Sequence, residues 1–199
     1  MASENINHGC ITEWRWGMDN ELLSEPYWTS CFLVDGLLID AAAPASIQEF
    51  QDFLESIPEE RKIKSCILTH GHEDHAGCAW FIHKKYGIPV FASDSAVSFL
   101  QEDHTYPDYR QFTWGEKLKK VEAKPTKMEV KTPGGKYSFQ VFPMPGHAPC
   151  LIALIEPNQE WVFVGDAVLP KYKMIFGPET NITENIKEIY NSIVNFLSF

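Results

Sequence analysis

Short runs of apolar residues recur along the first part of this chain, and their spacing predicts strands followed by a helix. Residues 11–16 alternate between polar and apolar positions, as does a strand with one buried face. Residues 27–34 and 37–41 lie on either side of Asp35-Gly36, which predicts a hairpin. Residues 45–56 repeat their apolar positions at helical spacing instead, which predicts an amphipathic helix.

The middle of the chain alternates strand and helix patterns. We predict a strand over residues 66–69, a helix over 76–86, a strand over 88–92 and a helix that begins at residue 94 or 95 and ends near 102. This alternation is typical of α/β proteins. Residues 103–115 break the pattern, since they are rich in aromatic and polar groups and have no helical periodicity. They are expected to form either a surface loop or a lid beside a substrate.

The last third of the chain predicts a second sheet and a final helix. Strand patterns fall at residues 127–131, 137–142, 151–155 and 161–164, and residues 183–199 have apolar positions at helical spacing. Residues 1–10 are polar, and we expect a loose lead-in there. Because neither a linker nor a low-complexity tract divides the chain, we predict a single domain over residues 1–199.

Composition and charge limit the classes of binding partner and the cellular compartment that we expect for this protein. A formal net charge of −10 disfavours nonspecific binding to nucleic acid or to an anionic membrane. The polar N-terminus does not resemble a secretory signal, and no apolar run approaches the length of a membrane span. Five cysteines at wide spacing are consistent with reduced thiols in a cytoplasm. We therefore expect a cytoplasmic protein with a small-molecule substrate; the oligomeric state stays open.

The segment Thr69–His75 carries the clearest chemical signal. It places histidine, histidine, aspartate and histidine in the order His-x-His-x-Asp-His, directly after a predicted buried strand and before a predicted helix. Imidazole and carboxylate groups bind zinc and iron, and titratable groups beside a buried strand are costly unless they are bound. Two later clusters, Pro145-Gly146-His147 and Gly165-Asp166, also follow predicted strands. Together the three clusters predict one metal site.

These motifs, in this order, resemble the metallo-β-lactamase superfamily. The resemblance runs from about residue 11 to the end and includes Asp40 at the end of an early strand. It implies an α/β fold, the αββα four-layer sandwich, with metals at one edge between two sheets. It also implies two sets of ligands and one bridging residue: His70, His72 and His147 for a first ion, Asp74 and His75 for a second, and Asp166 for both.

The chain departs from the family pattern near its end. Two-metal members usually carry a last histidine, on a loop after a C-terminal helix, that binds the second ion. No histidine follows Asp166 in this chain. We therefore expect the chain to end before the last strand and its histidine. Either the chain is truncated relative to its relatives, or the second ion has a thinner set of ligands.

The resemblance implies a hydrolase that uses two zinc ions, with iron or manganese as alternatives. A metal-bound hydroxide would attack an ester-like bond, such as that of a thioester or a lactone, and Asp74 would be catalytic by holding the second ion and orienting the hydroxide. Two alternatives stay open. One is an iron-dependent persulfide dioxygenase with one ion on His70, His147 and Asp166, and the other is a metal-binding protein of low activity.

Overall fold

Two β-sheets stack face to face in a computed structural model of the protein, which describes residues 2–18, 27–104, 106–116, 118–169 and 184–199. The first sheet has seven strands in sequential order, antiparallel from β1 to β4 and parallel from β4 to β7. Its strands are β1 (Ala2–His8), β2 (Ile11–Met18), β3 (Tyr27–Val34), β4 (Leu37–Ile39), β5 (Ser65–Ile67), β6 (Val90–Ala92) and β7 (Lys124–Pro125).

The second sheet has four antiparallel strands in the order β11-β10-β9-β8. Its strands are β8 (Glu129–Lys131), β9 (Ser138–Pro143), β10 (Ile152–Glu156) and β11 (Trp161–Phe163). The described helices are α1 (Ile47–Ser56), α2 (Glu73–Ala76), α3 (Ala79–Tyr86), α4 (Asp94–Leu100), α5 (Asp108–Trp114) and α6 (Ile186–Leu197). Short 3₁₀ turns form at Pro44–Ser46, Glu59–Arg61 and Gly165–Ala167.

Apolar side chains are buried on both faces of the first sheet. In β4, Leu37 and Ile39 pack toward the second sheet, whereas Leu38 between them packs with the helices on the outer face. The outer face of the second sheet is covered by α6, whose Phe196 packs against Phe142 of β9 with ring centroids 5.7 Å apart. The layers therefore follow the order helix, sheet, sheet, helix, and the predicted αββα sandwich is confirmed.

The expectation of a loose lead-in over residues 1–10 is wrong, because residues 2–8 form β1 and pair in register with β2. A strand at a sheet edge is held by main-chain hydrogen bonds and needs few apolar side chains, so the polar sequence gave no strand signal. An ion pair of 2.7 Å between Glu4 and Arg15 joins the two strands.

The segment 103–115 also differs from its prediction, since it contains the helix α5. This helix has seven residues, of which only Trp114 is buried, so it is too short to show a periodic apolar pattern. The predicted C-terminal helix forms as α6, although Thr183, where it was expected to begin, lies outside the described residues. Among the described residues, no helix is both long and apolar enough to cross a bilayer.

Candidate metal centre

The His-x-His-x-Asp-His segment lies where β5 leaves the sheet. Past the end of the strand, the hydrogen bond from Leu68 N to Phe91 O (2.8 Å) keeps the chain in register with β6. The helical turn α2 follows and is fixed against the chain beyond β4 by the hydrogen bond from Ala41 N to His75 O (2.6 Å). Gly77 lies directly against Pro44, and a Cβ atom there would overlap its ring. Main-chain packing therefore fixes the backbone positions from which the ligand side chains extend.

The other two clusters reach the same edge from the second sheet. His147 follows β9 after Gly146, whose φ of 139° and close approach to Ile189 of α6 exclude a larger residue. Asp166 lies in the 3₁₀ turn after β11, and Gly165 beside it packs against Thr69. Both ligand positions thus depend on glycines that let two backbones approach closely.

The six side chains predicted from the sequence come together at this edge. The ring centroid of His70 lies 4.6 Å from that of His72, 4.3 Å from that of His75 and 5.2 Å from that of His147. Within this group of six, the two carboxylates approach the imidazoles at three points: Asp166 Oδ1 to His75 Nε2 3.1 Å, Asp166 Oδ2 to His147 Nε2 3.5 Å, and Asp74 Oδ2 to His75 Nε2 3.6 Å.

Two overlapping triads have the spacing of metal ligands. His70, His72 and His147 offer ligand atoms within 4.8 Å of one another, and so do His70, His75 and Asp166. The first triad is the set predicted for the first ion. The second triad shares His70 with the first and places Asp166 and His75 side by side, whereas Asp74 lies at its border. The assignment of each residue to one ion stays a prediction.

The hydrogen bonds of His70 show that its free nitrogen faces the site. The hydroxyl of Thr69 donates to the carboxylate of Asp40 (2.9 Å), so it accepts from Nδ1 of His70 (3.1 Å). That arrangement leaves the lone pair on Nε2 of His70, which is buried and has no hydrogen-bond partner among the described residues. A buried acceptor without a partner is costly, and a divalent cation bound by imidazole nitrogens satisfies it. The residues present therefore fit a metal ion.

Burial and neighbouring charges set the protonation of the site. Burial lowers the pKa of His70 and of His72 well below the usual value, and it lowers that of His147 as well. Burial also opposes the charge on His75, but the carboxylates of Asp166, Asp74 and Asp40 outweigh it and raise its pKa well above the usual value. Three imidazoles are thus neutral near pH 7, the form in which imidazole binds metals.

The carboxyl groups of Asp74 and Asp166 also differ in pKa, because burial and neighbouring charges act on them to different extents. Burial raises the pKa of Asp74 to about 7, although the charge of His75 acts in the opposite direction. Burial acts to raise the pKa of Asp166 too, but His75 and His147 overcome it and hold that pKa well below the usual value. Asp166 is therefore the permanently charged carboxylate of the pair, and Asp74 is the one whose charge depends on its neighbours.

A second layer of polar groups orients the ligands. Asp40, buried at 3% exposure, accepts from the main-chain N–H of Thr69 (2.7 Å) and lies 2.8 Å from Nδ1 of His75. Glu184 lies 2.9 Å from Nδ1 of His147, whose other ring nitrogen, Nε2, lies 3.5 Å from Asp166. Such partners fix the tautomer and the orientation of a metal-binding histidine. Neither role was predicted from the sequence, in which the only signal was Asp40 at the end of an early strand.

Two further contacts hold the turn that carries Asp74. The hydroxyl of Thr29 on β3 donates to the main-chain oxygen of Asp74 (2.7 Å). Glu73, the neighbouring residue, is buried and forms a bidentate ion pair with the partly buried Arg110 of α5. The structure thus places Arg110 of segment 103–115 against the metal-ligand turn, and a role of this segment beside a substrate stays a prediction.

The two cysteines that follow the ligand histidines pack as small residues. Cys78 is buried, and its thiol donates to the main-chain oxygen of Ala43 (3.2 Å). Burial raises the pKa of Cys78 to about 12 and raises that of Cys150 as well. Both thiols therefore stay protonated near neutral pH, and neither resembles an activated nucleophile.

Comparisons with known proteins agree with this geometry. A family model described as the metallo-beta-lactamase superfamily matches residues 29–192. Hydroxyacylglutathione hydrolase GloC of Haemophilus influenzae is 26% identical over 135 residues, a match that covers 60% of this chain and 57% of that protein. The chain spans less than two thirds of the length of the first curated relatives that it matches.

Two solved structures share the fold. A metallo-beta-lactamase from Pontibacter korlensis superposes with a TM-score of 0.73 at 17% identity, over 99% of this chain and 86% of that one. TTHA1623, solved in a di-iron-bound form, gives a TM-score of 0.60 at 20% identity, over 98% of this chain and 86% of that one. At these identities the likeness shows the fold alone, whereas the family model covers most of the chain. This chain belongs to the metallo-beta-lactamase superfamily.

Proposed function

We propose that this protein is a metal-dependent hydrolase that cleaves an ester-like bond at a binuclear site. The observation that carries the proposal is the unpartnered Nε2 of His70, which is buried among three other imidazoles and Asp166. A structural network of histidines would satisfy that nitrogen with a protein donor. The described residues supply no such donor, and the named relatives include metal-dependent hydrolases, which together support bound metal and hydrolysis.

The ligands divide into two sets in this proposal. His70, His72 and His147 would hold the first ion through neutral nitrogens, and Asp74 and His75 would hold the second. Asp166 lies within 3.5 Å of a nitrogen from each set, which supports a bridging role. The second set is the smaller one, so we expect its ion to be bound more weakly.

The chemistry of the site follows from these ligands. A bound divalent ion supplies Lewis acidity that lowers the pKa of water from about 15.7 to about 7 and so provides a nucleophile at neutral pH. Asp74 is almost fully buried beside His75 and would orient that water. Burial raises the pKa of Asp74 to about 7, and the charges of its neighbours also act on it. The carboxylate of Asp166 holds the two sets of ligands at a fixed separation.

The substrate we propose is a small molecule with an acyl ester bond, such as a thioester or a lactone. The name of the Haemophilus influenzae relative states hydroxyacylglutathione as its substrate, which supports an acyl thioester. The proposed metal is zinc, with iron or manganese as alternatives, because imidazole and carboxylate ligands bind all three. We also propose a cytoplasmic location, on the basis of the unpaired cysteines.

The test combines metal analysis with a substrate panel. Protein purified without added metal is assayed by elemental analysis and then, after loading with zinc, on thioesters, lactones and phosphodiesters. We expect about two ions per chain, cleavage of at least one acyl ester, and two phases in a zinc titration, of which His75→Ala removes only the weaker. One iron per chain, with oxygen consumed in the presence of a persulfide, would replace hydrolysis with the dioxygenase. Fully loaded protein that cleaves none of these substrates would refute the proposal.

A further inference from the structure

The metal-ligand turn contains a charged residue that is not itself a predicted ligand. Glu73 lies between His72 and Asp74 and has an exposure of 2%. Its carboxylate accepts two hydrogen bonds from Arg110 of α5, from Nε to Oε1 and from Nη2 to Oε2, the second at 2.8 Å. This bidentate geometry matches a planar guanidinium to a planar carboxylate and fixes the orientation of both.

The helix that carries Arg110 is anchored independently of Glu73. Trp114, one turn later on the same face of α5, is buried at 6% exposure and packs against Trp16, with ring centroids 6.5 Å apart. Gly115 follows with φ of 98° and lies so close to Ala45 that a Cβ atom there would overlap it. Arg110 is therefore presented to the turn from a rigid support and does not simply follow Glu73.

The turn itself is short and depends on such contacts. The helix α2 has four residues, fewer than an isolated helix needs for stability. It is held by Thr29, which donates to Asp74 O, and by the contact of His75 with Asp40. Arg110 adds a further contact, at Glu73. Because Glu73 is one residue from two ligands, a shift of its buried carboxylate moves both.

We propose that Arg110 is a positioning residue of the metal centre, acting through its ion pair with Glu73 to hold the turn that carries His72 and Asp74. This inference rests on the metal centre of the proposed function. It adds that the position of the ligand turn in that centre depends on α5. Arg110 contacts neither ligand directly in the proposal; it restricts where Glu73, and with it the turn, can lie.

The test measures metal binding, independently of turnover. Arg110→Met, Arg110→Lys and Glu73→Gln are compared with the wild type by competition against a chromophoric chelator and by the visible absorption of the cobalt(II) protein at full occupancy. The matched control is Arg15→Met, which breaks another arginine–glutamate pair at the β1–β2 edge, in which Nε and Nη2 of Arg15 both donate to Oε2 of Glu4 (3.1 and 2.7 Å).

We expect Arg110→Met to weaken at least one metal-binding phase by about tenfold or more and to change the cobalt spectrum, since loss of an outer partner typically has an effect of this size. Arg110→Lys should recover part of the affinity, because a single ammonium keeps the charge but not both hydrogen bonds. In the double variant with Glu73→Gln, the two losses should not add, as expected for residues that act as a pair. Arg15→Met should bind metal as the wild type does.

The outcomes separate this inference from the proposed function. Wild-type protein that binds no metal overturns both. Wild-type protein that binds metal, with Arg110→Met unchanged in affinity and spectrum, overturns the positioning role alone, and so does an equal loss in Arg15→Met. If Arg110→Met does not fold, as judged by circular dichroism of the metal-free protein, the Arg110→Lys variant decides: wild-type affinity and spectrum in it would refute the proposal.

Discussion

The substitution Asp40→Asn tests how the protein sets the tautomer of His75. Asp40 presents Oδ1 to the N–H of Thr69 at 2.7 Å and Oδ2 to Nδ1 of His75 at 2.8 Å. As an acceptor, the carboxylate keeps the proton of His75 on Nδ1 and leaves Nε2 free for a metal. The amide of asparagine has nearly the same shape, and its oxygen can still accept from Thr69. Its NH₂ group would then face Nδ1 of His75, which must become the acceptor.

The expected losses of metal affinity and of stability in Asp40→Asn follow from these contacts. With Nδ1 as acceptor, the proton of neutral His75 lies on Nε2, the atom 3.1 Å from Asp166, so the lone pair for metal is lost. We expect the metal-binding phase assigned to His75 to weaken by about 10- to 100-fold. Exchange of a charged hydrogen bond for a neutral one at a buried position should lower the free energy of unfolding of the metal-free protein by about 1–3 kcal/mol.

The assay is a zinc titration with chelator competition, combined with urea denaturation and ¹⁵N chemical shifts of the histidine side chains. Asp35→Asn is the matched control. Its carboxylate accepts from Thr132 Oγ1 at 2.6 Å and from the N–H of Lys136 at 2.9 Å, in contacts that include no predicted ligand. That variant should lose stability and keep its metal affinity. The reasoning is wrong if Asp40→Asn retains wild-type affinity in both phases, or if His75 keeps its proton on Nδ1.

Three further predictions follow from the site. Replacing His70 and His72 together by alanine should abolish metal retention, measured by elemental analysis, with a circular dichroism spectrum close to wild type; unchanged metal content would disprove the assignment. Cys150→Ser should keep both metal and turnover, because burial raises the pKa of that thiol; an inactive, fully loaded variant would indicate a thiol mechanism. The metal-free protein should lose stability as the pH falls below about 6.5, since the unfolded chain protonates His70, His72 and His147, whose pKa values are lowered in the folded state. Asp74, whose pKa is raised to about 7, gains a proton in the folded state and offsets one of the three protons that these histidines take up on unfolding. The free energy of unfolding, measured by urea denaturation, should therefore fall by at most about 3 kcal/mol for each pH unit. A flat or opposite dependence on pH would contradict these shifts.

Local patterns in the sequence were sufficient for most elements of the fold. The alternation of residues 11–16 predicted β2, and the apolar run before Thr69 predicted the strand that presents the ligand segment. These predictions work because one buried face gives a strand a period of two and a helix a period of 3.6. The same signal was absent from residues 2–8 and from α5: an edge strand needs few apolar side chains, and a seven-residue helix with one buried side chain has no period.

The sequence by itself determined the chemical types and the order of the groups that meet at the site. His70, His72 and His147 were identifiable because spacing and strand ends are local features of the chain. Only the tertiary structure decided which groups orient them. Asp40 meets His75 across 35 positions, and Arg110 meets Glu73 across 37, so no local pattern encodes either pair. Such contacts arise when the sheets and α5 pack, because burial leaves each charged group with few partners and selects the one that the fold brings within reach.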